Sequence, residues 1–206
     1  MDEARQVREF WFGTGRLNAE SVRQRFTMWF GGGAEHVRQT LDEDIRRRFG
    51  TLLGRAERGE LDSWADGPRR RLSLILLLDQ FTRNIHRGTS RAFENDAAAL
   101  ALAMSGMQSG ADAALDPVER MFFYMPLQHS ESLDAQDESV AAYRRLLSEA
   151  TEDLQRTFES SLDYAEKHCE IIRRFGRFPH RNAALGRANT PEETAFLASG
   201  AERFGQ

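Results

Sequence analysis

Apolar residues recur every three or four positions along nearly the whole chain, and strict alternation of apolar and polar residues is almost absent. Val37, Leu41, Ile45 and Phe49, for example, step by four and mark one face of a helix. A helix turns the same face outward at every third or fourth residue, whereas a strand does so at every second residue. The spacing therefore predicts an all-α protein.

Capping residues, prolines and glycines divide this pattern into about eight or nine helices. The helices are predicted around 7–12, 18–31, 37–56, 68–85, from 89 or 90 to 106, then at 116–128, 133–147, 152–175 and from 190 onward. Phe93, Leu100 and Met104 are predicted to face inward, and Pro126 should end or kink its helix near Gln128. Short loops are typical of antiparallel helical hairpins, and no linker divides the chain, so we expect one all-helical domain over residues 1–206.

The composition narrows the class of protein further. The 206 residues carry a net charge of −4, which argues against general nucleic-acid binding. The single Cys169 allows no disulfide within the chain, and the longest apolar run, residues 72–78, is too short to cross a membrane. The first residues lack the pattern of a signal peptide, so we expect a cytoplasmic protein with no membrane and no nucleic-acid partner.

The predicted helix at 68–85 carries apolar stripes on two sides and should therefore be central. Asp79 and Arg83 extend one stripe at a spacing of four residues, which makes them natural partners. Gln80 and Asn84 form a second pair at the same spacing. Such pairs can be buried contacts that fix the helix, or polar groups that project into a cavity, and the spacing alone leaves both interpretations open.

A second candidate segment is MFFYMPLQHSE, residues 121–131, where His129 and Glu131 follow a proline. A His-x-Glu pair occurs in zinc deaminases, but the accompanying Pro-Cys-x-x-Cys motif is absent. The segment is not His-Glu-x-x-His either. We therefore interpret His129 as a hydrogen-bonded histidine between helices and predict no metal site.

The third segment, between Glu170 and Glu192, is basic and contains no acidic residue. It holds His180 and five arginines, at positions 173, 174, 177, 181 and 187. These arginines could bind carbonyl groups at a helix end and acidic residues elsewhere. Alternatively, their guanidinium groups could form a site for a phosphate or a carboxylate. The sequence favours neither interpretation.

Four longer motifs resemble a known family. They are FWFG at 10–13, LILLLDQFTRNIHRGTSRAF at 74–93, RMFFYMPLQHSE at 120–131 and HCEIIRRFGRFPHRNAALGR at 168–187. Together they resemble the mainly bacterial domain-of-unknown-function family nine hundred and twenty-four, over essentially the whole chain. The resemblance implies a tetratricopeptide-like superhelix of stacked helical hairpins and implies no activity or cofactor.

Three functions remain open from the sequence. The first is binding of a small anionic ligand or an acidic peptide terminus. Its candidate residues are Arg83, Asn84, His129, Arg174, Arg177, His180, Arg181, Asn182 and Arg187. The second is a hydrolase or transferase in which His129 or His180 acts as general base and Glu131 or Asp79 orients it. The third is a structural or protein-interaction module whose polar groups only lock helices together.

Overall fold

The computed structural model describes residues 2–15, 17–30 and 35–200. These residues contain nine α-helices and no β-strand. The prediction of an all-α fold is confirmed. We count the continuous helical segment at 68–85 as one helix. The helices are α1 (Glu3–Phe12), α2 (Ala19–Phe30), α3 (Glu35–Glu57), α4 (68–85), α5 (Asp96–Gln108), α6 (Pro117–His129), α7 (Leu133–Ser148), α8 (Gln155–Phe175) and α9 (Pro191–Ala198). The glycines at 31–33, which were predicted to end α2, lie outside the described residues.

Side chains cap the helices where the sequence predicts helix starts. Asp116 and Glu119 form a capping box at α6, in which the Asp116 backbone N–H donates to Glu119 Oε2 at 3.2 Å. Thr190 and Glu193 repeat this arrangement at α9. At the end of α8, Gly176 adopts a left-handed conformation with φ of 68°, which a residue with a side chain rarely takes. Helix α6 continues through Pro126 and ends at His129, one residue beyond the predicted end.

The start of α5 was predicted wrongly. Thr89 does not cap this helix; a separate 3-10 turn, Ser90–Phe93, precedes it, and α5 begins at Asp96. Leu100 and Met104, predicted to face inward, are half-buried and pack against the core, while Ala99, Ala103 and Gly106 are buried. The small residues on that face allow α5 to approach its neighbours closely.

Helices α6, α7 and α8 pack as consecutive antiparallel hairpins. Tyr143 Oη donates to the Met121 carbonyl at 2.6 Å, and Gln136 Nε2 donates to the Gln128 carbonyl at 2.7 Å. Later residues of α7 therefore contact earlier residues of α6, as expected of an antiparallel pair. Two ion pairs, Arg173 with Asp137 and Arg144 with Glu166, show the same reversed order between α7 and α8.

The core is built around α4, whose residues 72 to 78 are all buried. Aromatic rings from three other helices pack near it. Trp29 of α2 lies 4.8 Å from Phe122 of α6 between ring centroids, and Trp11 of α1 lies 5.5 Å from Phe81 of α4. The Trp29 indole donates to the Trp11 carbonyl at 3.0 Å, so this large side chain is buried without losing its hydrogen bond.

Helix α4 is interrupted by a π-helical turn, which the sequence does not predict. The α-helical part Pro68–Ile75 passes into the π-helix Leu76–Phe81 and returns to α-helix at Thr82–Ile85. The Thr82 backbone N–H donates to Leu77, five residues earlier, and its hydroxyl donates to the same carbonyl at 3.2 Å. Such turns occur frequently at functional sites, and this one contains Asp79.

None of the helices in the described ranges combines the length and the apolar character that crossing a bilayer requires.

At Gly106, α5 lies close to Phe123 and Arg71 of its neighbouring helices, and this contact generates a stability prediction. A Cβ atom at this position would overlap Phe123 Cζ and lie 2.8 Å from Arg71 Cδ. Because Phe123 is fully buried, Gly106→Ala should lower the free energy of unfolding by about 1–2 kcal/mol despite the better helix propensity of alanine. Urea unfolding measures the change.

The matched control is Gly50→Ala in α3, where the nearest heavy atom to an added Cβ is Arg46 Cγ at 4.0 Å. This variant should gain about 0.5–1 kcal/mol from helix propensity alone. If both variants are stabilised, α5 does not pack against α6 as closely as these distances imply.

Candidate functional site

A cavity of about 1140 Å³ lies between α2, the first turns of α3, the second half of α4, α6 and α8. Several residues that line it, among them Phe26, Val37, Ser160 and Tyr164, are exposed, so the cavity opens to solvent between α2 and α8. Cavities that hold small organic ligands typically measure about 300–1000 Å³. This cavity is therefore large enough for such a molecule.

One wall of the cavity is apolar and aromatic. It is formed largely by the side chains of Val22, Phe26, Trp29, Phe30, Val37, Leu41, Met121 and Met125. Phe26 and Phe30 keep 51% and 42% of their surface exposed, which is unusual for phenylalanine in a protein with a large core. A ligand with an apolar part would cover this surface.

Another part of the cavity lining is polar and contains a carboxylate–imidazole pair. His129, the last residue of α6, lines the cavity, and its Nδ1 lies 2.6 Å from Oδ1 of Asp79 in the π-helical turn of α4. The structure therefore brings together two of the residues that the sequence offered as a general base and its orienting carboxylate. They are 50 positions apart in the chain.

Asp79 is fully buried and is held by three side chains. Besides His129, Arg83 Nη1 donates to its Oδ1 at 3.0 Å and Gln80 Nε2 donates to its Oδ2 at 2.6 Å. Burial by itself would raise the pKa of this carboxyl group. The charge of Arg83 and the hydrogen bonds from His129 and Gln80 outweigh burial, so the pKa of Asp79 lies below its usual range. The carboxylate is ionised at neutral pH.

His129 is neutral at the same pH. Burial, together with the positive charge of Arg83, lowers its pKa, although Asp79 acts in the opposite direction. With Asp79 ionised, Nδ1 carries the proton and donates a hydrogen bond to the carboxylate. Nε2 is then the unprotonated nitrogen, and it makes no hydrogen bond to any residue within the described ranges. A ligand or water in the cavity can reach this lone pair.

Arg83 connects this pair to the rest of the molecule. It lies 2.8 Å from Oδ1 of Asp96, the first residue of α5, and Asp96 Oδ2 also accepts from Arg181 at 3.1 Å. Arg181 is sandwiched between Phe93 and Phe178, at 4.7 and 4.4 Å from their ring centroids. Burial lowers the pKa of Arg181 to about 10, which leaves it charged at neutral pH.

The predicted pair of Gln80 with Asn84 does not form. Gln80 donates to Asp79, and Asn84 Nδ2 donates to Asp42 Oδ1 of α3 at 2.8 Å. Arg87 binds the same Asp42 carboxylate through Nε at 2.7 Å. Each amide thus finds a carboxylate, which is a stronger acceptor than another amide. Asn84 and Arg83 both line the cavity.

The arginines of the basic segment lie outside this cavity and bind acidic residues. Arg174 pairs with Glu192 at 2.9 Å, and Arg177 binds Glu193 through two hydrogen bonds of 2.6 and 2.8 Å. Arg187 likewise binds Glu131 through two hydrogen bonds, of 2.7 and 2.9 Å.

Asn182 joins the same network, donating to Asn189 and Glu193 and accepting from Arg187 Nε at 2.9 Å. The predicted binding residues therefore divide into two groups: Arg83, Asn84 and His129 line the cavity, while Arg174, Arg177, His180, Arg181, Asn182 and Arg187 lie at the end of α8 or in the loop after it.

His129 and Glu131 do not converge on one point. Glu131 accepts from Arg187 and from the Phe178 backbone N–H at 2.8 Å. His180 packs against Phe178, with ring centroids 5.3 Å apart, and burial lowers its pKa to about 3. Across the described residues, no three His, Cys, Asp or Glu side chains are grouped so that they could hold a metal ion.

Several polar residues of the cavity were not found from the sequence, among them Gln128 and His168. Gln128 is 6% exposed and lines the cavity, and its side-chain amide has no hydrogen-bond partner in the described part of the chain. His168 of α8 also lines the cavity, with its Nδ1 at 2.7 Å from the Tyr164 carbonyl. The signal for His168 was present: Thr157, Ser161, Tyr164 and His168 form one polar stripe at helical spacing along α8.

These features define an all-helical protein with a large internal cavity and a carboxylate–imidazole pair in the polar part of its lining. The model of the family described as "Bacterial protein of unknown function (DUF924)" matches residues 7–201, and the chain belongs to this family. The resemblance that the sequence motifs indicated is thereby confirmed.

The solved structure of ATU0120 from Agrobacterium tumefaciens, a protein of unknown function, is similar to this one. The two chains share 34% identity, the match covers 96% of this chain and 97% of that chain, and the TM-score is 0.78. None of the curated proteins compared with the chain matches it.

The ion pairs of the basic segment generate a prediction about stability. Arg187→Ala should lower the free energy of unfolding by about 2 kcal/mol, because Glu131 loses two charged hydrogen bonds in a half-buried position. Arg174→Ala, which removes an exposed pair with Glu192, should cost less than about 1 kcal/mol. Chemical denaturation of the two variants checks the order. Equal losses would mean that the Arg187–Glu131 pair does not hold the loop in place.

Proposed function

We propose that the protein binds an amphipathic organic anion in the cavity between α2, α4, α6 and α8. The lining of the cavity is the observation that carries this proposal. Among the described residues, five arginines (23, 38, 83, 87 and 156) contribute to it, against a single acidic residue, Asp42. In a protein of net charge −4, this concentration of positive charge favours an anionic ligand.

The lining arginines differ in how much of their charge is available. Arg83 and Arg87 bind buried or half-buried carboxylates, and Arg23 and Arg38 pair with Glu20 and Glu35 on their own helices. Arg156, at the start of α8, has neither a carboxylate nor a hydrogen-bond partner within the described ranges. We therefore assign the anionic group of the ligand to the vicinity of Arg156.

The apolar part of the ligand would lie against the aromatic wall. Burial of apolar ligand surface against Phe26, Trp29 and Phe30 supplies binding free energy that scales with the area removed from water. A ligand of this kind also covers the two phenylalanines that are otherwise exposed. An inorganic phosphate would satisfy the arginines but leave this wall in contact with water.

We assign the basic segment after α8 a structural role. The carboxylates of Asp96, Glu131, Glu192 and Glu193 occupy its arginines, so a ligand would have to displace these partners. This corresponds to the structural alternative of the sequence analysis for that segment only, because the cavity lies elsewhere.

We also propose that the protein binds its ligand in the cytoplasm. The chain has one cysteine, Cys169, which is unpaired, as expected of proteins in a reducing compartment. The net charge of −4 favours a small-molecule partner over nucleic acid.

Decanoate, with decanol as the uncharged analogue, tests the proposal by thermal unfolding. A ligand present at about 100 times its dissociation constant adds about 2.7 kcal/mol. For a chain of this length, that corresponds to a rise of about 5–11 °C in Tm. Ser160→Trp, which fills the cavity mouth from α8, should abolish the rise. Glu159→Trp, at the preceding residue, which does not line the cavity, should retain the rise in Tm.

Arg156→Ala measures the contribution of the arginine charge to binding separately from that of the apolar wall. This variant should lose affinity for decanoate and keep its affinity for decanol. If neither compound raises Tm in the unmodified protein, or if Ser160→Trp and Glu159→Trp behave alike, the cavity does not bind this class of ligand.

A further inference from the structure

We infer that His129 and Asp79 form a general-base pair that hydrolyses an ester of the amphipathic ligand inside the cavity, with the Gln128 amide stabilising the oxyanion. This inference rests on the proposed function, because it uses the same cavity and the same class of ligand. It adds a reaction and names the residues that would carry it out.

The first argument is the arrangement of the two nitrogens of His129. Asp79 fixes Nδ1 at 2.6 Å, which sets the ring orientation and leaves Nε2 as the basic nitrogen at the cavity. An orienting carboxylate of this kind also stabilises the imidazolium that forms when the base takes a proton. A histidine that only fixed a helix would not need an accessible Nε2.

The second argument is the rigidity of the supporting carboxylate. Asp79 is fully buried and is held by Arg83 and Gln80 as well as by His129. Because Arg83 is itself held by Asp96, the carboxylate keeps its charge and position while the imidazole changes protonation. Catalytic groups are effective when the residues behind them are locked in this way.

The third argument is an independent polar group beside the base. Gln128 is adjacent to His129, is more than nine-tenths buried, and lines the cavity with no hydrogen-bond partner for its amide in the described part of the chain. The nitrogen and oxygen of this amide are not shut off from solvent, so its N–H groups are open to the cavity and can donate a hydrogen bond to a ligand there. An ester carbonyl that becomes an oxyanion is such an acceptor.

The reaction balances with water as the second reactant. Nε2 of His129 takes a proton from water while the water oxygen forms a bond to the acyl carbon. The resulting oxyanion accepts a hydrogen bond from Gln128. As it collapses, the bond between the acyl carbon and the alcohol oxygen breaks, and the imidazolium returns its proton to that oxygen. The products are a carboxylic acid and an alcohol, and the acid is the class of ligand that the cavity is proposed to bind.

Hydrolysis of p-nitrophenyl decanoate by the full chain tests the inference, with decanoate binding measured on the same samples. We expect saturable hydrolysis that His129→Gln lowers by about 10²–10⁴-fold in kcat with a smaller change in KM. His36→Gln, an exposed histidine outside the cavity, should keep the rate. Ser160→Trp should lose the activity and Glu159→Trp should keep it, which places the reaction in the cavity.

The pH profile distinguishes Asp79 as a positioning residue from a merely structural one. The titratable groups near His129 are Asp79 and Arg83 of α4, Asp96 of α5, His168 of α8 and, after α8, His180. The negative charge of Asp79 raises the pKa of His129, so Asp79→Asn should move the acidic limb of kcat/KM to lower pH as well as lowering the rate. A lower rate with an unchanged limb would contradict the positioning role, and His129→Gln keeps the inference testable if Asp79→Asn does not fold.

The outcomes separate the two proposals. Binding of decanoate without hydrolysis of the ester, or hydrolysis that His129→Gln leaves unchanged, overturns the catalytic inference and leaves the binding proposal standing. Absence of both binding and hydrolysis overturns both.

Discussion

The charge on Asp79 must be compensated inside the protein, and much of the structure is arranged to do so. Moving an isolated carboxylate out of water costs several kcal/mol, and removing one partner from a buried pair costs nearly as much. Arg83 supplies the compensating charge from the next turn of α4, and His129 and Gln80 supply hydrogen bonds. Because His129 is the last residue of α6, this single carboxylate fixes where α6 ends relative to α4.

The compensation extends outward through Arg83. It shares its guanidinium group between Asp79 and Asp96, and Asp96 in turn binds Arg181 from the loop after α8. The four charges alternate in sign and sum to zero, so none is buried without an opposite partner. Arg181 therefore links the loop after α8 to the first residue of α5 and, through Asp96 and Arg83, to the central helix. The arginines of this segment bind carboxylates, and Arg181 also packs on Phe178, whereas aromatic packing joins the core helices.

Local sequence patterns predicted the helices well, because periodicity and capping act over a few residues. The Asp79–Arg83 contact was predictable for the same reason: four residues separate the two along one helix. The His129–Asp79 contact was offered only as one of several pairings, since no local pattern determines which side chains meet across 50 positions. The basic segment shows the converse limit. Its lack of acids was visible, but its partners Asp96, Glu131 and Glu193 lie outside it, so only the fold determines which charges are free. The π-helical turn was also missed, since residues 72–78 are buried on all sides and hide the change of face that one extra residue in a turn produces.

The cavity is the feature that packing alone does not explain. Protein cores fill space closely, and unfilled volume lowers stability. This chain has 14 phenylalanines and three tryptophans, enough large side chains to fill space efficiently, yet two phenylalanines at the cavity remain exposed. Facing them, α8 presents threonine, serine, tyrosine and histidine where apolar residues would close the gap. The Gln128 amide and the Nε2 nitrogen of His129, which make no hydrogen bond within the described residues, lie at the same place. Local sacrifices of stability of this kind are typical of functional sites, and here they coincide in one cavity. This coincidence, more than any single residue, supports a ligand between α2 and α8 over a purely structural role for the polar motifs.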